Sequence, residues 1–224
     1  MKMKRLIALD QALLSWAYAR PFKRTWFVKT LIFIGDAPIW MVTTVMAAFI
    51  GQVFNQVAFE QLATLLVIGF MISQVTFGQL KIHINRRRPY ANPQLQQALN
   101  LKIINRDPAH GSKELESFPS GHVLWTTLCV GLISFQLGLA AVLILGWLIP
   151  AMIFLRPFLG VHYPSDAIAG LLLAIINLSL TLALAPHVFN ILNELKNYHA
   201  YSVAYWIFMI IFLIVGFKSW LKRV

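Results

Sequence analysis

Charge is scarce in this chain. Only 12% of the 224 residues are Asp, Glu, Lys or Arg, about half the roughly 25% of an average soluble domain. No block of soluble-looking composition as large as a domain interrupts the apolar runs. Together with 58% hydrophobic residues and a mean hydropathy of +0.69, this excludes an ordinary soluble protein and makes lipid the expected solvent. Cysteine is nearly absent too. Cys129 stands alone in an apolar run, so an internal disulfide is excluded and a small packing residue is expected. Acidic residues are few, 8 against 19 Lys and Arg, for a net charge of +11. The sequence has no RRM-like, zinc-finger or helix-turn-helix signature, so the charge points away from nucleic acid. The basic residues flank apolar runs, which suits anionic headgroups or a phosphorylated substrate. There is no internal repeat, and residues 1–224 read as a single membrane-embedded domain.

The hydrocarbon is arranged in runs long enough to cross a bilayer, which takes about 20 apolar residues. Residues 37–59, 61–80, 167–186 and 200–217 are such runs. The uncharged stretch 123–155 would be about 50 Å long as one helix, too long for a core of about 30 Å. A turn at Gln136-Leu137-Gly138 would divide it in two. The expected fold class is therefore all-α: a polytopic membrane protein of six transmembrane helices. Residues 6–19 read as an interfacial amphipathic helix with Trp16 and Tyr18 at headgroup level. Asp10 and Gln11 argue against a cleaved signal peptide. Residues 82–118 are polar and must lie outside the hydrocarbon, as a helical and irregular loop between spans two and three, with a short helix expected over 94–104.

Against this background three charged blocks stand out: Lys81-x6-Arg88-Pro89, Pro119-Ser120-Gly121-His122, and Arg156-x5-His162-x3-Asp166. Ionisable residues in membrane-grade sequence are expensive and usually functional. Hydropathy puts the end of span two, the start of span three, the end of span four and the start of span five at one membrane surface, so the blocks are expected to converge there. Phosphoryl transfer needs positive charge around non-bridging oxygens, an in-line nucleophile and a proton for the leaving group. Lys81, Arg88 and Arg156 can supply charge. Ser120 is an expected N-cap whose helix offers free N–H groups to an anion, and Gly121 permits close approach. His122 is placed for acid–base work. His162 and Asp166, four apart, suit an imidazole fixed by a carboxylate. A metal reading is weak, because three neighbouring cations would repel Zn²⁺.

These blocks resemble the signature of the type 2 phosphatidic acid phosphatase superfamily: K-x6-RP, PSGH, then SR-x5-H-x3-D. The resemblance implies a membrane enzyme without metal or cofactor, acting on a lipid phosphate such as undecaprenyl diphosphate, phosphatidylglycerophosphate or phosphatidic acid, in a bacterial inner membrane. It implies His162 as nucleophile, Asp166 as its orienting carboxylate and His122 as general acid. It implies Lys81, Arg88, Ser120, Gly121 and Arg156 as the phosphate cradle. A lipid acceptor in place of water would make the same site a phosphotransferase. One departure is Leu155, where the pattern has Ser; altered efficiency rather than loss of function is expected.

The other polar residues carry plainer expectations. Arg86 and Arg87 read as headgroup contacts. His83, His110, His187 and His199 read as surface residues. Asp36 reads as a helix cap, and Asn177, Ser179 and Thr181 as interhelical hydrogen bonders. The basic residues of both termini fall on the motif face, which the charge rule reads as cytoplasmic. The resemblance favours the periplasmic side.

Overall fold

The computed structural model describes residues 2–107, 114–198 and 200–221. Expectations for His110, His199, Lys222 and Arg223 lie outside them. Among the described residues every regular element is helical. In order they are α1 (Lys2–Tyr18), α2 (Trp26–Ile34), α3 (Ala37–Val53), α4 (Val57–Ile84), a 3₁₀ turn (Pro89–Ala91), α5 (Pro93–Leu99), α6 (Gly121–Leu137), α7 (Leu139–Leu145), α8 (Leu148–Phe158), α9 (Pro164–Leu195) and α10 (Tyr201–Leu221).

Among the described residues four segments are long and apolar enough to cross a bilayer: Val57–Ala91, Leu139–Phe158, Pro164–Leu195 and Tyr201–Lys218. The pair α2 and α3, bent by 65° at Gly35-Asp36, would make a fifth. α6 is apolar but has 17 residues. The expected break at Gly138 is present, with Gly138 at φ 77°. A further break at Gly146-Trp147 divides the following run into α7 and α8. α2 precedes the first expected span and was not legible from charge alone. Thr25 caps it by accepting the Val28 N–H at 3.3 Å.

α4, α6 and α9 form the centre, with α3, α8 and α10 packed around them. Leu65, Leu66, Leu124, Leu128, Leu132, Met152 and Ala174 are buried between them. Outward-facing Leu172, Ile176, Ile207, Ile210 and Ile214 are about half exposed, an apolar belt consistent with lipid contact. With no hydrophobic force between helices in lipid, polar contacts add specificity. Asn177 Nδ2 of α9 donates to Ser73 Oγ (2.8 Å) and Thr76 Oγ1 (3.0 Å) of α4. Thr181 and Ser179 instead donate to carbonyls of their own helix, Asn177 O and Ile175 O. Of the three, then, only Asn177 bonds across helices with its side chain.

α1 lies against α8 and α9. Trp16 is exposed, but Tyr18 is buried, contrary to a headgroup position for both. The Tyr18 hydroxyl accepts the Ile104 N–H (3.0 Å), and Arg106 stacks on its ring at 3.7 Å. The loop after α4 is thus sewn to α1 by hydrogen bonds that hydropathy does not register. The helix expected at 94–104 is shorter, Pro93–Leu99, because Asn92 caps its start and Asn100 ends it in the left-handed conformation.

Asn177→Ala should lower the unfolding free energy of the detergent-solubilised protein by about 1–2 kcal/mol, measured by thermal or SDS titration; no loss would mean that the α4–α9 contact rests on apolar packing alone.

Candidate active site

The three blocks come together at one end of the bundle. Lys81 is in the last turn of α4, and Arg88 precedes the 3₁₀ turn. Ser120 precedes α6, with Gly121 and His122 in its first turn. Arg156 is in the last turn of α8, His162 in the following loop, and Asp166 in the first turn of α9. Gly170 makes the convergence possible: a Cβ there would lie 2.6 Å from Ser120 O. The Ser120 N–H donates to Asp166 O at 3.0 Å, joining the second block to the third.

His162 is 2% exposed. Its Nδ1 lies 2.6 Å from the Ser117 carbonyl oxygen and 3.7 Å from Asp166 Oδ2. A carbonyl can only accept, so Nδ1 carries the proton and Nε2 keeps its lone pair. The expected direct bond from Asp166 is therefore replaced by a relay. Ser117 Oγ donates to Asp166 Oδ2, while its carbonyl holds His162. The same Oδ2 accepts the Tyr163 N–H at 2.9 Å. Ser117 escaped sequence reasoning. Its only signal was a small polar residue two positions before Pro119.

Burial, then the positive charges of Arg88, Arg156 and Lys81, push the His162 imidazole well below its ordinary range. The ring is thus neutral near pH 7, the form a nucleophile needs. Arg88 is buried and approaches Val161 O at 3.4 Å through Nη1. Lys81 Nζ donates to the Glu116 carbonyl oxygen. Arg156 is fully buried, with Nη1 3.1 Å from Asp107 Oδ2. Its Nε and Nη2 find no acceptor among the described residues, and neither does the hydroxyl of fully buried Ser120. Ser120 occupies the cap position, but its side chain makes no cap bond. Buried donors without acceptors are costly, and these suit an oxyanion. The N–H groups of Gly121, His122 and Val123 precede the first backbone bond of α6, Leu124 to Ser120, and face the same use. A Cβ on Gly121 would lie 3.0 Å from Phe77, so this glycine also serves close packing.

Two expectations change. Asp36 stands before α3 but makes no side-chain cap bond. Its Oδ1 lies 3.5 Å from His122 Nε2, and a Cβ on the preceding Gly35 would be 2.5 Å from the His122 ring. The bend between α2 and α3 thus presents a carboxylate to the second histidine. Arg86 is not a headgroup contact. It is half-buried and donates to Ser165 Oγ (2.7 Å), Asp166 Oδ1 (2.6 Å) and Asp10 Oδ2 (2.9 Å). His83 and His187 are exposed, as expected. Among the described residues no three His, Cys, Asp or Glu side chains are grouped to hold a metal ion.

A model of the PAP2 superfamily matches residues 61–190, more than half of the chain and all three blocks. The protein belongs to the PAP2 superfamily. Its fold resembles the crystal structure of Aquifex aeolicus LpxE, with a TM-score of 0.61 and 21% identity over 78% of this chain and 95% of that one. No curated protein matches the sequence. Relative to the PAP2 pattern, Leu155 replaces Ser, and its side chain is buried in the apolar core. Asp10 and Asp36 both lie outside the PAP2 match.

An NMR titration of the His162 ring should place its protonation well below the ordinary imidazole value of about 6.5, and Arg156→Ala should move it upward by removing a repelling charge. A midpoint at or above about 6.5 in the unaltered protein would contradict this reading of the site.

Proposed function

We propose that the protein is an integral membrane phosphatase that hydrolyses a lipid phosphate through a phosphohistidine formed on His162. The observation that carries this reading is a buried His162, its Nδ1 held by the Ser117 carbonyl, at the same end of the bundle as buried Arg156 and Ser120 donors that have no acceptor among the described residues. Six crossings fit it best, with the bent α2–α3 pair and the short α6 joining the four longer segments.

In the first step, His162 Nε2 attacks phosphorus, and the bond from phosphorus to the lipid oxygen breaks. His122 gives that oxygen a proton. Asp36, beside His122, stabilises its imidazolium before the transfer. Lys81, Arg88, Arg156, the Ser120 hydroxyl and the first N–H groups of α6 hold the non-bridging oxygens. In the second step water attacks phosphorus, neutral His122 takes its proton, and the bond from phosphorus to nitrogen breaks to release inorganic phosphate. Asp166, through Ser117, keeps the Nδ1 proton in place in both steps. No step needs a metal.

The substrate's phosphate must reach a site formed where apolar helices end, which suits a lipid whose headgroup lies at the interface. Undecaprenyl diphosphate is our leading substrate, on the strength of the small six-span layout. Phosphatidylglycerophosphate and phosphatidic acid are the alternatives.

Purified protein in detergent with EDTA should release phosphate from at least one of these three lipids, and His162→Ala should abolish release. Loss of release in EDTA, restored by a divalent metal, would overturn the metal-free mechanism; release that survives in His162→Ala would overturn the nucleophile. Asp36→Asn should slow hydrolysis of phosphatidic acid, whose departing alkoxide needs a proton, by roughly 10-fold or more, yet slow a p-nitrophenyl ester much less, because that leaving group hardly needs one. Equal slowing of both would deny Asp36 a part in the proton transfer.

A further inference from the structure

The interfacial helix α1 carries one acidic side chain, Asp10, and that side chain is almost buried. Its Oδ2 accepts from Arg86 Nη2 at 2.9 Å and from Ser165 Oγ at 2.7 Å, and its Oδ1 accepts the Ser165 N–H at 2.8 Å. Arg86 in turn donates to Asp166 Oδ1 at 2.6 Å, and its guanidinium lies 3.7 Å over the Tyr163 ring. Asn92 Nδ2 holds the Tyr163 hydroxyl at 3.0 Å. Both carboxylate oxygens of Asp166 are thus engaged, Oδ1 by Arg86 and Oδ2 by Ser117 and Tyr163.

We propose that Asp10 is a positioning residue for the catalytic pair: through Arg86 and Ser165 it fixes Asp166, and through Asp166 and Ser117 it fixes the tautomer and direction of His162. The inference rests on the phosphatase reading for its kinetic consequence, but not for the coupling itself. Charge-assisted hydrogen bonds of this length are strong and directional. One guanidinium shared between two carboxylates has a defined place only while both are present. Without Asp10, Arg86 is free to swing about Asp166, and the N-terminal turn of α9 loses the acceptor of its Ser165 N–H. Small displacements of a catalytic group cost disproportionately in rate. The consequence is that α1, outside the PAP2 match, is part of the working enzyme rather than an anchor alone.

The test uses full-length protein in detergent with Asp10→Asn, Asp10→Glu, Arg86→Gln and their Asn/Gln double variant, with Arg87→Gln as the control one residue away. Two readouts are taken: kcat and KM, and the ¹⁵N signals of the His162 ring, which report its tautomer without any substrate. Asp10→Asn should lower kcat by roughly 10- to 100-fold with little change in KM, and should shift the ring from a pure Nδ1–H tautomer to a mixture. Asp10→Glu should recover part of the rate. The double variant should be no slower than the slower single one, because both act on one path. Arg87→Gln should change neither readout. Unchanged ring signals in Asp10→Asn, a rise in KM alone, or losses that multiply in the double variant would overturn the proposal. If Asp10→Asn does not fold, Asp10→Glu decides: an intermediate kcat at unchanged KM is expected, and a wild-type kcat overturns the inference. Absence of turnover in the unaltered protein, with ring signals that still respond to Asp10→Asn, would count against the phosphatase reading and not against this coupling.

Discussion

Several positive charges are gathered at one end of a bundle whose bulk is hydrocarbon, and the rest of the site is organised around holding them there. Arg88 and Arg156 are buried with few water contacts, where isolated charges would be prohibitively costly. Asp107 meets one edge of Arg156, and backbone carbonyls meet Lys81 and Arg88. The remainder, Arg156 Nε and Nη2 together with the Ser120 hydroxyl, has no acceptor among the described residues and suits an oxyanion. Burial and then the same positive field hold the His162 imidazole well below its ordinary range, so in the proposed mechanism the charge that would bind a phosphate also favours a neutral nucleophile.

Carboxylates stand beside both histidines. Asp166 is separated from the His162 ring by Ser117 and braced from behind by Arg86. Asp36 stands beside His122. A carboxylate in direct contact with the phosphate would repel it; one set back behind a serine or an imidazole can orient a ring without opposing the substrate. The histidines consequently differ in surroundings. His162 is buried among cations, while His122 has the Asp36 carboxylate at 3.5 Å.

Much of this was legible from residue spacing. The three blocks, their convergence, the α6–α7 break at Gly138 and the all-helical class follow from hydropathy and motif order, because lipid leaves few alternatives to helices. What was not legible depended on geometry that spacing cannot encode. Ser117 looked like an ordinary loop serine, since its value lies in a backbone carbonyl and a hydroxyl pointing in different directions. Asp36 has the sequence context of a cap, before Ala37 and Pro38, and the 65° bend that turns it toward His122 has no sequence signal beyond Gly35. Arg86 looked like one of a basic run with Arg87, and only the docking of α1 through Asp10 separates them. Tyr18 has the sequence context of a headgroup residue, an aromatic near an apolar end, yet Ile104 and Arg106 fold back onto it and it is buried.

Hydrolysis through a covalent intermediate at His162 is tested most directly by the stereochemical course at phosphorus. With a lipid phosphorothioate made chiral by sulfur and two oxygen isotopes and hydrolysed in water carrying the third isotope, attack by His162 followed by attack by water inverts the centre twice. Net retention is therefore expected. Net inversion would mean that water attacks directly, and that His162 is a base or a binding group instead of the nucleophile.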